Sequence, residues 1–210
     1  MRDLGSPEMV EKQTEVVAPR LPMVADDEVA DLAARFGAPV HRAYNVQADE
    51  YIYSYRWQRE SDRRAEVVFA IRDDAGRYWV HAKPHYPAHI FRLPSGGIHW
   101  DELVDTALLR EVEEETGLPV EVERFVGLVE YRFWRQQSSV AFASYVFALR
   151  SLRDARPVCR AGEAISDFRA VTPNQLAQIA VDLRSLIGDR RGWGQWRAVA
   201  HDLVFDYLSS

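Results

Sequence analysis

The residues best suited to chemistry are the acids of one short stretch, Glu102, Glu111, Glu113, Glu114 and Glu115, which follow the glycine pair Gly96-Gly97. At about 100° per residue, Val104, Ala107 and Leu108 fall within about 50° of a common direction and form a stripe that would face a core. Continued toward the C-terminus, that stripe reaches Glu111, Glu114 and Glu115, while Glu113 points away to solvent. An apolar face thus becomes a carboxylate face, which is costly in three ways. The acids are like-charge neighbours at i,i+3 and i,i+4. They occupy the last turns, where the helix dipole disfavours negative charge. Their side faces inward, where unpaired ionised groups are expensive. The one base of the stretch, Arg110, cannot neutralise them all. Carboxylate oxygens are the natural ligands of hard divalent ions, so bound Mg²⁺ or Mn²⁺ would resolve the conflict. A solvated acidic helix is the competing reading. Continuity with the apolar stripe and the glycine-rich approach favour the metal.

Positioning these acids requires a loop, a helix and a sheet. The spacing predicts a helix over 103–116, stopped by Gly117, directly after the breaker run Pro94-Ser95-Gly96-Gly97. Strands are expected over 65–73 and 77–83, joined by a turn at Asp73-Asp74-Ala75-Gly76. Further strands are expected over 89–93, 120–134, 138–149 and 168–171. Pro173 opens a helix capped by Thr172, and an amphipathic segment over 193–208 docks back on the domain. Upstream, residues 1–24 read as a flexible arm, 26–36 as a short helix ended by Gly37, and 51–57 as a strand. The expected fold is a mixed α/β sandwich over 61–210, preceded by an N-terminal extension over 1–60.

The same positions carry a family resemblance. Gly96, Glu102, Arg110-Glu111-Val112, Glu114-Glu115 and Gly117-Leu118 match the signature of the Nudix hydrolases at every fixed position. The signature spans about 23 residues with charged positions at fixed offsets, far more specific than a lone glycine loop. The lead-in Phe91-Arg92-Leu93-Pro94 and the segment 167–176 resemble flanking patterns of that family, so the likeness covers roughly residues 65–186. Departures are small: Ser95 replaces a usual glycine, Asp101 another, and Ala170 a common tryptophan.

The resemblance implies a Nudix-type α/β/α sandwich with the signature loop and helix at its centre. It also implies metal-dependent hydrolysis of a phosphoanhydride in a nucleoside diphosphate linked to another moiety, or in a nucleoside triphosphate. By motif position, Glu111, Glu114 and Glu115 would be the metal ligands and catalytic acids, with the Gly96 carbonyl a further ligand and Glu111 or Glu115 the general base. Glu102 and Arg110 would form an internal ion pair. Lys83, Arg92 and Arg135 are candidates for phosphate contact, Tyr131 and Phe133 for base stacking, and Glu163 for an assisting acid. His81, His85, His89 and His99 read as loop or surface residues. Two rivals share the scaffold. An isopentenyl diphosphate isomerase would need a suitably placed cysteine, and Cys159 lies in an Arg-rich loop. A non-catalytic, nucleotide-sensing Nudix module would commonly have an eroded signature, and this one is complete.

Composition narrows the rest. The 210 residues carry a net charge of −6, and residues 101–115, with seven acids and one base, account for all of it. No basic face supports binding to a nucleic-acid polymer, and no run approaches the ~18 apolar residues of a membrane span. One cysteine rules out an internal disulfide. A cytoplasmic enzyme with a small-molecule substrate is expected. The first 60 residues are candidates for a dimerising element, so a homodimer stands among the expectations.

Overall fold

A computed structural model of the chain describes residues 21–57 and 63–210. Most of the arm expected over 1–24 lies outside the described residues. The elements run α1 (Asp26–Phe36), β1 (Val40–Gln47), α2 (Glu50–Arg56), β2 (Ala65–Arg72), β3 (Tyr78–Ala82), β4 (Ser95–Ile98), α3 (Val104–Thr116), β5 (Val120–Arg135), β6 (Ser138–Ser151), β7 (Asp167–Val171), α4 (Pro173–Arg184) and α5 (Arg191–Leu208).

Among the described residues, seven strands form one mixed sheet in the order β1-β5-β6-β2-β3-β7, with β4 pairing beside β2. β2 is buried along nearly its whole length, and its side chains alternate between two cores. Val67, Phe69 and Ile71 face a core shared with Leu32 of α1 and with Val104, Ala107, Leu108 and Val112 of α3. Val68 and Ala70 face the opposite core, shared with Ile52 of α2, Leu176 of α4 and Trp193 and Trp196 of α5. Helices therefore cover both sheet faces, giving the expected α/β/α sandwich. Among the described residues no helix is long and apolar enough to cross a membrane.

Three local expectations are corrected. The strand expected over 51–57 is instead helix α2, with Trp57 at its C-terminal cap, because Asp49 caps its start by accepting from the Ile52 N–H at 2.7 Å. The expected strand over 89–93 is irregular and touches the sheet only through a bridge between His81 and Arg92, with His89 at a positive φ of 66°. The breaker run instead contributes β4, with Gly96 opposite Val67 and Gly97 opposite Glu66. The sheet also runs across the expected boundary at residue 60, since β1 pairs parallel with β5 from Val40 to Gln47.

α1 has a second task. The N-terminus of α3 has no side-chain cap of its own; Glu28 of α1 accepts from the Val104 N–H at 2.8 Å instead. Glu28 is held in turn by Arg64, whose side chain is fully buried and also donates to the Glu102 carbonyl at 2.8 Å. Glu28→Ala removes the cap and strands a buried guanidinium, so a loss of about 3 kcal/mol is expected in a urea denaturation series.

Candidate active site

The site is built where β4 passes the C-terminal half of α3. A β-carbon added to Gly96 would lie 1.8 Å from the Glu111 carboxyl carbon, so only glycine lets that carboxylate lie against the strand. Arg110 organises the acids. Its Nε and Nη2 each donate to one oxygen of Glu102 at 2.8 Å, forming a bidentate pair. Nη2 also reaches the Gly97 carbonyl at 2.8 Å, and Nη1 reaches Glu111 at 2.9 Å and Glu114 at 3.1 Å. One guanidinium thus ties the helix, the preceding loop and β4 together. Its carboxylate partners, Glu102 foremost, raise its already high pKa.

Glu115 is the most enclosed of the acids, 2% exposed. Lys83, just beyond β3, donates to its Oε1 at 2.8 Å. Oε2 is buried without a hydrogen-bond partner among the described residues, the nearest imidazole being Nδ1 of His81 at 3.7 Å. Burial pushes the Glu115 carboxyl up to about 7, with Lys83 opposing. Glu111 is raised in the same sense, burial outweighing Arg110. Glu163, from the loop before β7, comes within 3.9 Å of Lys83.

These residues line a pocket of about 300 Å³, at the lower end of the range for small-ligand sites. Gly96, Glu111, Glu115, Glu163 and Lys83 form one end of it. The rest of the lining includes Tyr51 and Tyr55 of α2, His85 and Tyr86, Glu66 and Arg92, and Trp193 and Arg197 of α5. The one-turn spacing of Tyr51 and Tyr55 puts their rings parallel, 6.2 Å apart, and Trp193 meets Tyr51 edge-on at 6.1 Å. Asp49 braces this wall, its second oxygen accepting from the Trp193 N–H at 2.8 Å.

A divalent ion suits this donor set. The pocket offers carboxylate and carbonyl oxygens, one carboxylate oxygen is buried and orphaned, and Gly96 lets the Glu111 carboxylate lie against the strand beside it. As the side chains stand, no group of three His, Cys, Asp or Glu is gathered tightly enough for an ion among the described residues. Lys83 and Arg110 hold the oxygens that such a cluster would use.

The structure brings Gly96, Glu111, Glu115, Lys83, Arg92 and Glu163 to one pocket. Glu114 is absent from the lining; about 120° from Leu108 around the helix, its carboxylate rests on Arg110. Two expected stacking residues are corrected. Tyr131 and Phe133 are buried in the core, Phe133 meeting Trp196 at 4.9 Å, because their face of β5 is the one covered by α5. Arg135 is corrected as well, since it pairs with Glu50 at 2.6 Å and does not line the pocket. His81 is fully buried in β3, and its surroundings lower its pKa well below the usual value through burial first and the nearby Arg92 and Lys83 next. Sequence reasoning missed Glu66, Trp193 and Arg197. A lone acid within the apolar run of β2 was the signal for the first, and the i,i+4 spacing of Trp193 and Arg197 for the others.

The loop leading to Gly96 is anchored from α5. Nε2 of His201 accepts from the Leu93 N–H at 3.0 Å, while Nδ1 donates to the Arg197 carbonyl at 3.0 Å. Both bonds together require a neutral imidazole. Burial lowers the His201 pKa from 6.5 to about 3. Between those values the unfolded chain binds the proton and the folded chain does not, so this anchor loses stabilising power as pH falls through that window. The stability gap between the wild type and His201→Gln should narrow from pH 6.5 toward pH 3, as read by urea midpoints across pH.

A family model described as NUDIX domain matches residues 62–189. No curated protein matches the chain at a significant level. Similar solved structures include a NUDIX hydrolase from Nitrosomonas europaea, 18% identical with a TM-score of 0.49, covering 69% of this chain and 88% of that one. An E. coli dihydroneopterin triphosphate pyrophosphohydrolase is 15% identical with a TM-score of 0.45, covering 65% and 96%. A C. elegans Ap4A hydrolase is 11% identical with a TM-score of 0.46, covering 69% and 97%.

Proposed function

Since the chain belongs to the Nudix hydrolase family, we propose that it cleaves a phosphoanhydride bond in a nucleoside diphosphate linked to another moiety or in a nucleoside triphosphate, with Mg²⁺ or Mn²⁺. The observation that carries this reading is the orphaned, buried oxygen of Glu115 in a pocket shared with Glu111 and Gly96.

Glu111, Glu115 and the Gly96 carbonyl are the proposed ligands, and Glu114 joins them only by leaving Arg110. When bound, divalent ions neutralise diphosphate oxygens and lower the pKa of a coordinated water. The protein's own residues do the rest. Glu111 or Glu115 takes the proton of the attacking water, and burial, which raises both carboxyls, favours that uptake. Lys83 holds the Glu115 carboxylate and offers a cation to the phosphates once that carboxylate turns to other work. Arg110 and Glu102 fix the loop against the helix and need not touch substrate.

The test is a panel of nucleoside diphosphate derivatives and triphosphates with each ion, scoring phosphate and nucleotide products. Turnover that stops on chelation and returns with Mg²⁺ or Mn²⁺ is expected. No turnover of any member with either ion would move the assignment to a ligand-sensing module.

A further inference from the structure

The end of the pocket beyond the carboxylates carries the opposite charge. Arg92 is 6% exposed and the Arg197 side chain 9%. Nη1 of Arg197 donates to both oxygens of Glu66, at 2.8 and 2.7 Å. Ser144 also donates to Glu66, at 2.7 Å, so this carboxylate is fully engaged and held below its ordinary pKa by Arg197 against the cost of burial. Arg92 donates through Nε to the Tyr86 hydroxyl at 2.6 Å and through Nη1 to the Leu93 carbonyl and the Ser95 hydroxyl, at 2.7 and 2.9 Å.

Both guanidinium groups are thus held in place, Arg92 by two of its three nitrogens and Arg197 by one nitrogen shared between both Glu66 oxygens and by the Trp196 ring, 3.7 Å away. Among the described residues neither Nη2 makes a hydrogen bond, Nε of Arg197 is buried without a partner, and both residues line the pocket. Glu66 is the carboxylate that pairs with Arg197, and Arg92 makes its hydrogen bonds to neutral groups, so its charge has no directly bonded carboxylate. The unengaged nitrogens of guanidinium groups held this way can donate to the oxygens of a phosphate group.

We propose that Arg92 and Arg197 form a second anion subsite, which takes a phosphate group of the substrate other than the pair held at the carboxylate end. Ser95, which Arg92 grips, immediately precedes Gly96 in β4, so the two ends are one continuous groove. The subsite therefore favours a substrate with a phosphate beyond the scissile pair, such as a triphosphate, over a nucleoside diphosphate sugar. Arg197 lies on α5, outside the residues that match the family model, so the selectivity belongs to this chain's own C-terminal helix. The identity of the bound group as substrate phosphate rests on the hydrolase reading; the anion subsite itself does not.

The experiment titrates inorganic phosphate and tripolyphosphate into the full-length chain in the presence of chelator, by calorimetry, with Arg92→Gln and Arg197→Lys alongside. Arg197→Lys keeps a cation for Glu66, and Arg92→Gln leaves the Glu66 pair untouched, so at least the second should fold as the wild type does. Saturable phosphate binding, weakened about tenfold or more in each variant, upholds the subsite, even if no compound is hydrolysed. In the metal-loaded enzyme, the same variants should raise the KM for triphosphates more than that for diphosphate sugars. No saturable binding, or equal affinity in the wild type and Arg92→Gln, overturns it, and nucleotide hydrolysis with unchanged KM would then leave the hydrolase reading standing alone.

Discussion

Glu115→Gln should lower metal-dependent turnover about 10³-fold, within the range expected when a catalytic acid–base group is removed, while the protein stays folded. The substitution keeps volume and shape and removes a charge that its surroundings already disfavour, since burial, even against Lys83, brings the carboxyl to about 7. Lys83, partly exposed and 3.9 Å from Glu163, keeps a route to compensation. Denaturation of the metal-free variant should therefore show unchanged or higher stability, a function-for-stability exchange typical of buried catalytic acids. Glu114→Gln should cost less, because that side chain lies outside the pocket lining and its carboxylate rests on Arg110. Steady-state kinetics with saturating Mg²⁺ rank the two. Equal losses at both positions, or full activity in Glu115→Gln, would break the proposed division of roles.

Gly96→Ala should be nearly as damaging by a different route. The added methyl would coincide with the Glu111 carboxyl, so either the side chain must leave or β4 must shift against β2. A displacement of about 1 Å at a reacting centre costs on the order of 10²-fold in rate. Glu111 also accepts from Arg110, so moving it disturbs the clamp that joins Glu102, Gly97 and the helix. Activity should fall about 10²-fold with a modest loss of stability. Near-normal activity would mean that the Glu111 carboxylate does its work from another position.

Much of this arrangement is written locally. The α3 register, its Gly117 stop and the capped start of α4 follow from helical spacing and cap chemistry, and the structure shows Gly117 left-handed and Thr172 in a reciprocal capping box. The charge conflict along α3 was equally legible; what it could not show is that Arg110 alone reaches three carboxylates and a carbonyl. The misread parts depend on distant partners. Residues 51–57 have the aromatic content of a strand, yet a cap from Asp49 and packing against Trp193 make them helix α2 and its C-terminal cap. Tyr131 and Phe133 alternate as a half-exposed strand would, but α5 arrives 60 residues later to bury their face. Glu66 and Arg197, 131 residues apart in sequence, become site residues only through the tertiary fold.

Titration of Mn²⁺ into the chelator-stripped, full-length chain, following the free-ion paramagnetic resonance signal, tests most directly whether the buried carboxylates of α3 hold the metal. Saturable binding to the wild type, weakened about 10- to 100-fold in Glu111→Gln and Glu115→Gln and unaltered in Glu113→Gln, is the predicted result. Equal Mn²⁺ affinity in the wild type, Glu111→Gln and Glu115→Gln would contradict it.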